Sequence, residues 1–139
     1  MRLELVFDIH RATHRIGLFI QRHEPGLTQA EAHILCHLHE FGESVVSDLH
    51  RAFAHKRSTL TSVLDRLERR GHITRGRRPG DRRAVLVELT PAGRRAAGAI
   101  TRAIAALERR ALAGLPPEAV AACRAVLHAL TEVTAHDRA

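Results

Sequence analysis

From Lys56 to Ser62 the chain reads Lys-Arg-Ser-Thr-Leu-Thr-Ser, two cations and four hydroxyls around one leucine. A guanidinium such as that of Arg57 can hold guanine through two parallel hydrogen bonds. Ser58 or Thr59 can hold a phosphate where a helix begins. Ser58 also fits the role of a helix cap, and both roles are open to it; Thr59 could equally be solvated. Thr61, Ser62 and Arg66 extend the polar set along the same segment. A second cluster follows, with Arg75, Arg77, Arg78, Arg82 and Arg83 around Pro79-Gly80. Arginines on a thin hairpin can enter a minor groove, where narrow A·T tracts deepen the negative potential. Asp81 stands among them and cannot itself attract phosphate. Its expected task is to orient Arg82 or Arg83 by a fork-shaped salt bridge. The plainer reading of this cluster is a solvated charged turn.

The charge balance favours a polyanion partner. The chain has 139 residues and a formal net charge of +7. Of its 22 Lys/Arg and 15 Asp/Glu, 13 and 5 lie between Ser44 and Arg95, which gives that block +8 and leaves −1 elsewhere. All the excess positive charge is therefore central, the footprint expected of a nucleic-acid binder. With no Tyr or Trp and only four Phe, a stacking platform for single strands is not expected. No Ser/His/Asp grouping, glycine-rich phosphate loop or carboxylate pair stands out, so neither an enzyme nor a cofactor is expected. The apolar runs are too short to span a membrane and no signal-peptide pattern opens the chain, so a cytoplasmic location is expected.

Eleven histidines are unusual for this length. His10 and His14 lie one helical turn apart, and so do His33 and His37, with Cys36 and Glu40 beside the second pair. Such spacing permits a metal site on His10, His14, His33, Cys36 and His37. The ordinary alternative is a small buried Cys36 with the histidines as polar surface. Histidines in an interface would also charge near pH 6 and could loosen it. Cys123 sits on an apolar stripe, where packing in an interface is expected, and two cysteines make no disulfide framework.

These residues need elements to carry them. A helix is expected over 3–23, striped by Leu5, Ile9, Ala12, Ile16 and Phe19. Thr28 with Glu31 forms a capping box for a second helix, cored by Ile34, Leu35, Leu38 and Phe41 and stopped by Gly42. Short helices around Val46–Phe53 and from about Ser58 to Arg70 make a helix-turn-helix. Strands at 72–75 and 84–89 form a hairpin, and Thr90-Pro91 starts a long helix ending near 113. A last helix follows Pro116-Pro117, striped by Val120, Cys123, Leu127 and Leu130. The fold expected is mainly α with a small β-hairpin wing (α+β), a winged helix-turn-helix with terminal dimerisation helices. It is a single domain over 1–139, with dimerisation helices at 1–25 and 114–139, a DNA-binding region at 28–95 and a linking helix at 91–113.

From Val46 the chain reads VSDLHRAFAHKRSTLTSVLDRLERRGHITR and, from Gly80, GDRRAVLVELTPAGR. This resembles the MarR family of bacterial transcription regulators, nearly end to end in element order and most specifically between Val46 and Gly93. The Asp-x-Arg wing signature falls on Asp81 and Arg83, ahead of Leu89-Thr90-Pro91-x-Gly93. The resemblance implies a homodimer built by the terminal helices, each winged head reading half of a pseudo-palindrome, and release by a small ligand or oxidant. The sequence departs from the family pattern at His50, where a small residue is common, at Ala54, near a usual glycine, and at His55, near a usual apolar residue. Peroxide-sensing members carry a cysteine in the first helix, and residues 1–35 here have none.

Four functions can be set side by side. A dimeric, effector-responsive repressor on double-stranded DNA needs base readers, which the hydroxyl-rich 56–62 segment supplies. An architectural DNA binder needs only phosphate contacts, and a zinc-type regulator or a histidine metalloenzyme needs bound metal.

Overall fold

The computed structural model describes residues 4–53 and 56–137. His55 and Ala54, two of the departures above, lie outside the described residues. The order is α1 (Glu4–His23), α2 (Gln29–Phe41), β1 (Ser44–Val45), α3 (Val46–Phe53), α4 (Arg57–Arg69), β2 (Ile73–Arg78), β3 (Asp81–Leu89), α5 (Pro91–Leu112) and α6 (Pro117–His136). The chain divides into two compact units, 1–104 and 105–139.

In the first unit local chemistry sets the starts of α2 and α5 and the ends of α2 and α4. Thr28 Oγ1 accepts from the Glu31 amide at 3.2 Å, and Glu31 Oε2 accepts from the Thr28 amide at 3.3 Å, closing the capping box of α2. Gly42 terminates that helix at φ +83°, a conformation costly for residues with a Cβ. α4 ends in a double-bonded cap. The His72 amide donates to the Leu67 carbonyl and the Gly71 amide to that of Glu68. Thr90 then starts α5, its Oγ1 accepting from the Gly93 amide at 3.0 Å.

The core joins Ile20, Leu27, Ile34, Leu35, Leu38, Leu49, Leu60, Val63, Leu64, Leu67, Ile73, Val87 and Ile100, with Ala32, Ala96 and Ala97 between them. α4 contributes four of these at helical spacing, so its apolar face is inside and its polar face outside. Phe41, expected in the core, is instead 68% exposed. Its ring packs at a tilt against His37, 4.8 Å between centroids, one turn back on the same helix.

The sheet has three strands in the order β1-β3-β2, not the bare hairpin expected. Ser44 and Val45 pair antiparallel with Val87 and Leu86. The hairpin is also longer than the sequence suggests. β2 and β3 are in register from Ile73↔Leu89 to Arg77↔Val85, and then Arg78 pairs with Asp81. The jump leaves Arg82, Arg83 and Ala84 as a bulge on β3. Pro79 and Gly80 make the turn, with Gly80 at φ +84°.

The terminal helices look different. On α1, Leu5, Val6 and Phe7 are more than half exposed and only Ile20 is buried. In the second unit, α6 buries no residue at all, and Val126, Leu127 and Val133 face outward. Among the described residues, no helix is long and apolar enough to cross a membrane.

Candidate nucleic-acid interface

α4 opens with Lys56 at its N-cap, and that side chain makes no capping bond. Ser58 was expected to cap the helix; it stands instead one residue inside the first turn, exposed. Arg57, Ser58, Thr59, Thr61 and Ser62 are all exposed, while Leu60 between them is buried. Leu60, Val63, Leu64 and Leu67 hold the inner face against the core, which leaves the first-turn amides and hydroxyls pointing away from it. An uncapped N-terminus with free amides attracts anions by hydrogen bonding and by the helix dipole.

The wing brings Arg83 to the same side. A groove of about 570 Å³ is lined by Arg57, Leu60 and Thr61 of α4, by Ser47, His50 and Arg51 of α3, and by Arg83, Ala84 and Val85 of β3. Arg57 and Arg83 thus face one cleft although 26 positions separate them in the chain. The bulge that carries Arg82 and Arg83 is pinned by Asp81, whose Oδ1 accepts from the Arg83 backbone N–H at 3.0 Å. Asp81 therefore shapes the backbone under the arginine, where a fork onto its guanidinium had been expected. Arg77, Arg78, Arg82 and Arg83 are exposed.

Two of the residues expected to contact DNA are ion-paired within the chain. Arg66 donates from Nε to Glu31 Oε1 at 2.7 Å, and Glu31 is 2% exposed. Arg75 lies at the foot of the wing, away from its tip. Its Nη2 reaches Asp65 Oδ1 at 2.7 Å and Glu68 Oε1 at 3.1 Å. The hydrogen bond from Arg75 pulls the Glu68 carboxyl below its ordinary range, and the same bond raises Arg75 above its own. Asp65 and Glu68 were not singled out from the sequence. Their spacing of three on one helix face, seven to ten residues before an arginine, was the available signal.

The histidines are dispersed. His10 and His14 are exposed on α1. His37 packs on the rings of Phe41 and Phe53. Cys36 accepts a hydrogen bond from Thr101 Oγ1 at 3.4 Å, and burial raises its thiol above the usual range, which disfavours a reactive thiolate. Among the described residues, no group of three or more His, Cys, Asp or Glu converges to hold a metal.

His72, in the turn between α4 and β2, has a buried Nδ1 without a partner among the described residues. Burial, helped by Arg70, lowers its pKa below the ordinary value, against the opposing pull of Glu24 and Glu31. The unfolded chain then takes up this proton first on acidification. The stability from His72 is complete above about pH 6.5 and declines as pH falls toward the folded value. In His72→Gln, urea denaturation midpoints between pH 7 and 5 should fall less steeply than in the parent. Parallel profiles would show that this imidazole does not carry the acid sensitivity.

The chain is similar to known proteins over this region. The model of the MarR family matches residues 27–85. The HTH-type transcriptional repressor NicR of Pseudomonas putida is 37% identical over 70 residues, which are 50% of this chain and 44% of that protein. The chain thus aligns with under half the length of this curated relative. A probable transcriptional regulator from Pseudomonas aeruginosa has a solved structure that is 32% identical, with a TM-score of 0.75 over 93% of this chain and 99% of that one. Bordetella bronchiseptica BpsR, whose DNA binding is regulated by 6-hydroxynicotinic acid, is 28% identical, with a TM-score of 0.72 over 92% of this chain and 98% of its own.

Proposed function

The chain belongs to the MarR family of winged helix-turn-helix transcriptional regulators, and on that premise we propose that it is a homodimeric repressor of a pseudo-palindromic site on double-stranded DNA, released by a small effector. The observation that carries this reading is the groove shared by Arg57, Thr61 and Arg83. It lets one helix end enter a major groove while the wing reaches the neighbouring minor groove. Lys56, Ser58, Thr59 and the exposed wing arginines supply phosphate contacts around it. Arg66 and Arg75, held by carboxylates, are left out of this contact set.

The dimer is supported by the apolar surface left open on α1 and α6. Phe7, 61% exposed, is costly to leave in water, and a second copy covers the same face by symmetry. Effector release is supported by BpsR, so 6-hydroxynicotinic acid and related pyridine carboxylates are the first compounds to try.

The test is an anisotropy titration against duplex from upstream of the gene and a scrambled duplex, over a salt series. A preference of about 10³-fold or more, with two protomers per site, is the expected outcome. Equal affinities with the same steep salt slope, on genome-selected fragments as well, would make the protein an architectural binder. In the same assay Arg83→Ala should weaken cognate binding by about 1–3 kcal/mol without moving the melting temperature. An unchanged affinity would remove the wing from the contact surface.

A further inference from the structure

Glu31 is the one charged side chain in the core among the described residues. A capping box does not need burial, since it works as well on a helix at the surface. Taking a carboxylate out of water is unfavourable unless partners surround it. Here Oε2 accepts from the Thr28 amide, Oε1 accepts from Arg66 Nε at 2.7 Å, and Arg70 Nη1 stands 3.9 Å from Oε2. Arg70 in turn donates from Nη1 to the Gly26 carbonyl. A single buried carboxylate thus joins the turn before α2 to the last turn of α4 and to the C-cap residue that follows it.

The apolar face of α4 sets how deep the helix sits. Such contacts are non-directional and hold a helix less firmly against sliding or rotation. A hydrogen bond onto Nε has a fixed direction and length. Arg66 lies nine residues beyond Arg57, about 13 Å along the helix at 1.5 Å per residue. Fixing one end therefore fixes how the other end presents its side chains.

We infer that Glu31 is a positioning residue for DNA recognition: through Arg66 and Arg70 it sets the rotation and axial placement of α4, and so the aim of Arg57, Thr61 and their neighbours. This rests on the reading of α4 as the DNA-contacting helix. It assigns Arg66 a role in specificity without any contact to phosphate.

The test uses the full chain and four variants: E31Q, R66Q, the double variant and Thr28→Ala. Gln keeps the volume of Glu31 and an oxygen for the cap, and removes its charge. Each is titrated against the cognate and scrambled duplexes over a salt series, with melting followed by circular dichroism. E31Q and R66Q should each lower the cognate-to-scrambled ratio about tenfold, and the double variant no further, as expected for partners in one interaction. The salt slope should stay at the parent value. Thr28→Ala should lower the melting temperature and leave the ratio intact. If R66Q weakens both duplexes equally and reduces the slope by about one, Arg66 is a phosphate contact and the inference fails. It fails equally if Thr28→Ala lowers the ratio as E31Q does at the same loss of melting temperature. Should E31Q not fold, R66Q, whose side chain is half exposed, decides alone. A parent protein with no preference for any duplex overturns the sequence-specific reading itself; a preferring parent with an unaffected R66Q overturns only this inference.

Discussion

Replacing Gly93 by alanine will destabilise the fold by about 3 kcal/mol, although helix propensity alone predicts a gain of roughly 1 kcal/mol. Gly93 sits in the first turn of α5, where alanine is the better helix former. A Cβ built there overlaps the His72 carbonyl oxygen outright and comes within 2.9 Å of the carbonyl carbon and 3.2 Å of Leu89 Cδ2. The obstacle is backbone, and it is held: the His72 carbonyl accepts from the Thr90 amide at 3.0 Å, and Thr90 Oγ1 donates to the Gly71 carbonyl at 2.6 Å. Relief requires α5 to move off the turn that follows α4. Urea midpoints for the parent and Gly93→Ala measure the effect. A midpoint at or above the parent value would show that the turn yields freely and that the close approach is not a constraint.

Leu64→Ala should cost about 2–5 kcal/mol, a large share of the roughly 5–15 kcal/mol that holds a domain of this size. Leu64 is 1% exposed, flanked on the same face by Leu60, Val63 and Leu67. Truncation loses the transfer free energy of the removed methyl groups and leaves a cavity between α4 and the core, which these well-packed neighbours cannot close. Thr61→Ala, three residues earlier and exposed, is the comparison. It should leave the denaturation midpoint within about 0.5 kcal/mol of the parent, as surface changes do, while weakening DNA binding. Equal midpoints for Leu64→Ala and the parent would mean that α4 is not anchored through this face.

How much of this was legible in the sequence depended on the range of the interaction. The Thr28–Glu31 box, the stop at Gly42, the Thr90-Pro91 start of α5 and the apolar positions of α4 are local, and the side-chain types declare them. β1 was missed because two residues are too short for any periodicity; only the strand they pair with defines them. Phe41 was placed in the core by its spacing from Leu38, yet it falls in the last turn of α2, where a half-turn decides the face. The ion pairs were hidden most completely. Arg66 and Arg75 stand in an arginine-rich block, which suggests a DNA contact and gives no sign of their partners within the chain. Nothing local indicates that Arg66 meets a carboxylate 35 residues away. Ser58 failed as a cap because the helix begins at Arg57, two residues earlier than a cap at Ser58 requires. The helices α1 and α6 are where the apolar spacing put them, but one chain alone leaves their stripes largely uncovered, and the one buried residue of α1, Ile20, was not in the expected stripe.

The strand order β1-β3-β2 leaves β2 as an outer strand of the sheet. Its free amides and carbonyls form a template on which another chain can add a strand, the first step of aggregation. Arg75, Arg77 and Arg78 stand on this edge, and among the described residues Arg75 alone of the three has an ion pair. Bulky like charges brought face to face repel, so Arg77 and Arg78 guard the wing against self-pairing even when no DNA is bound. A variant stripped of all its wing arginines would lose solubility together with affinity, and its weak binding would then be read from a protein already leaving solution.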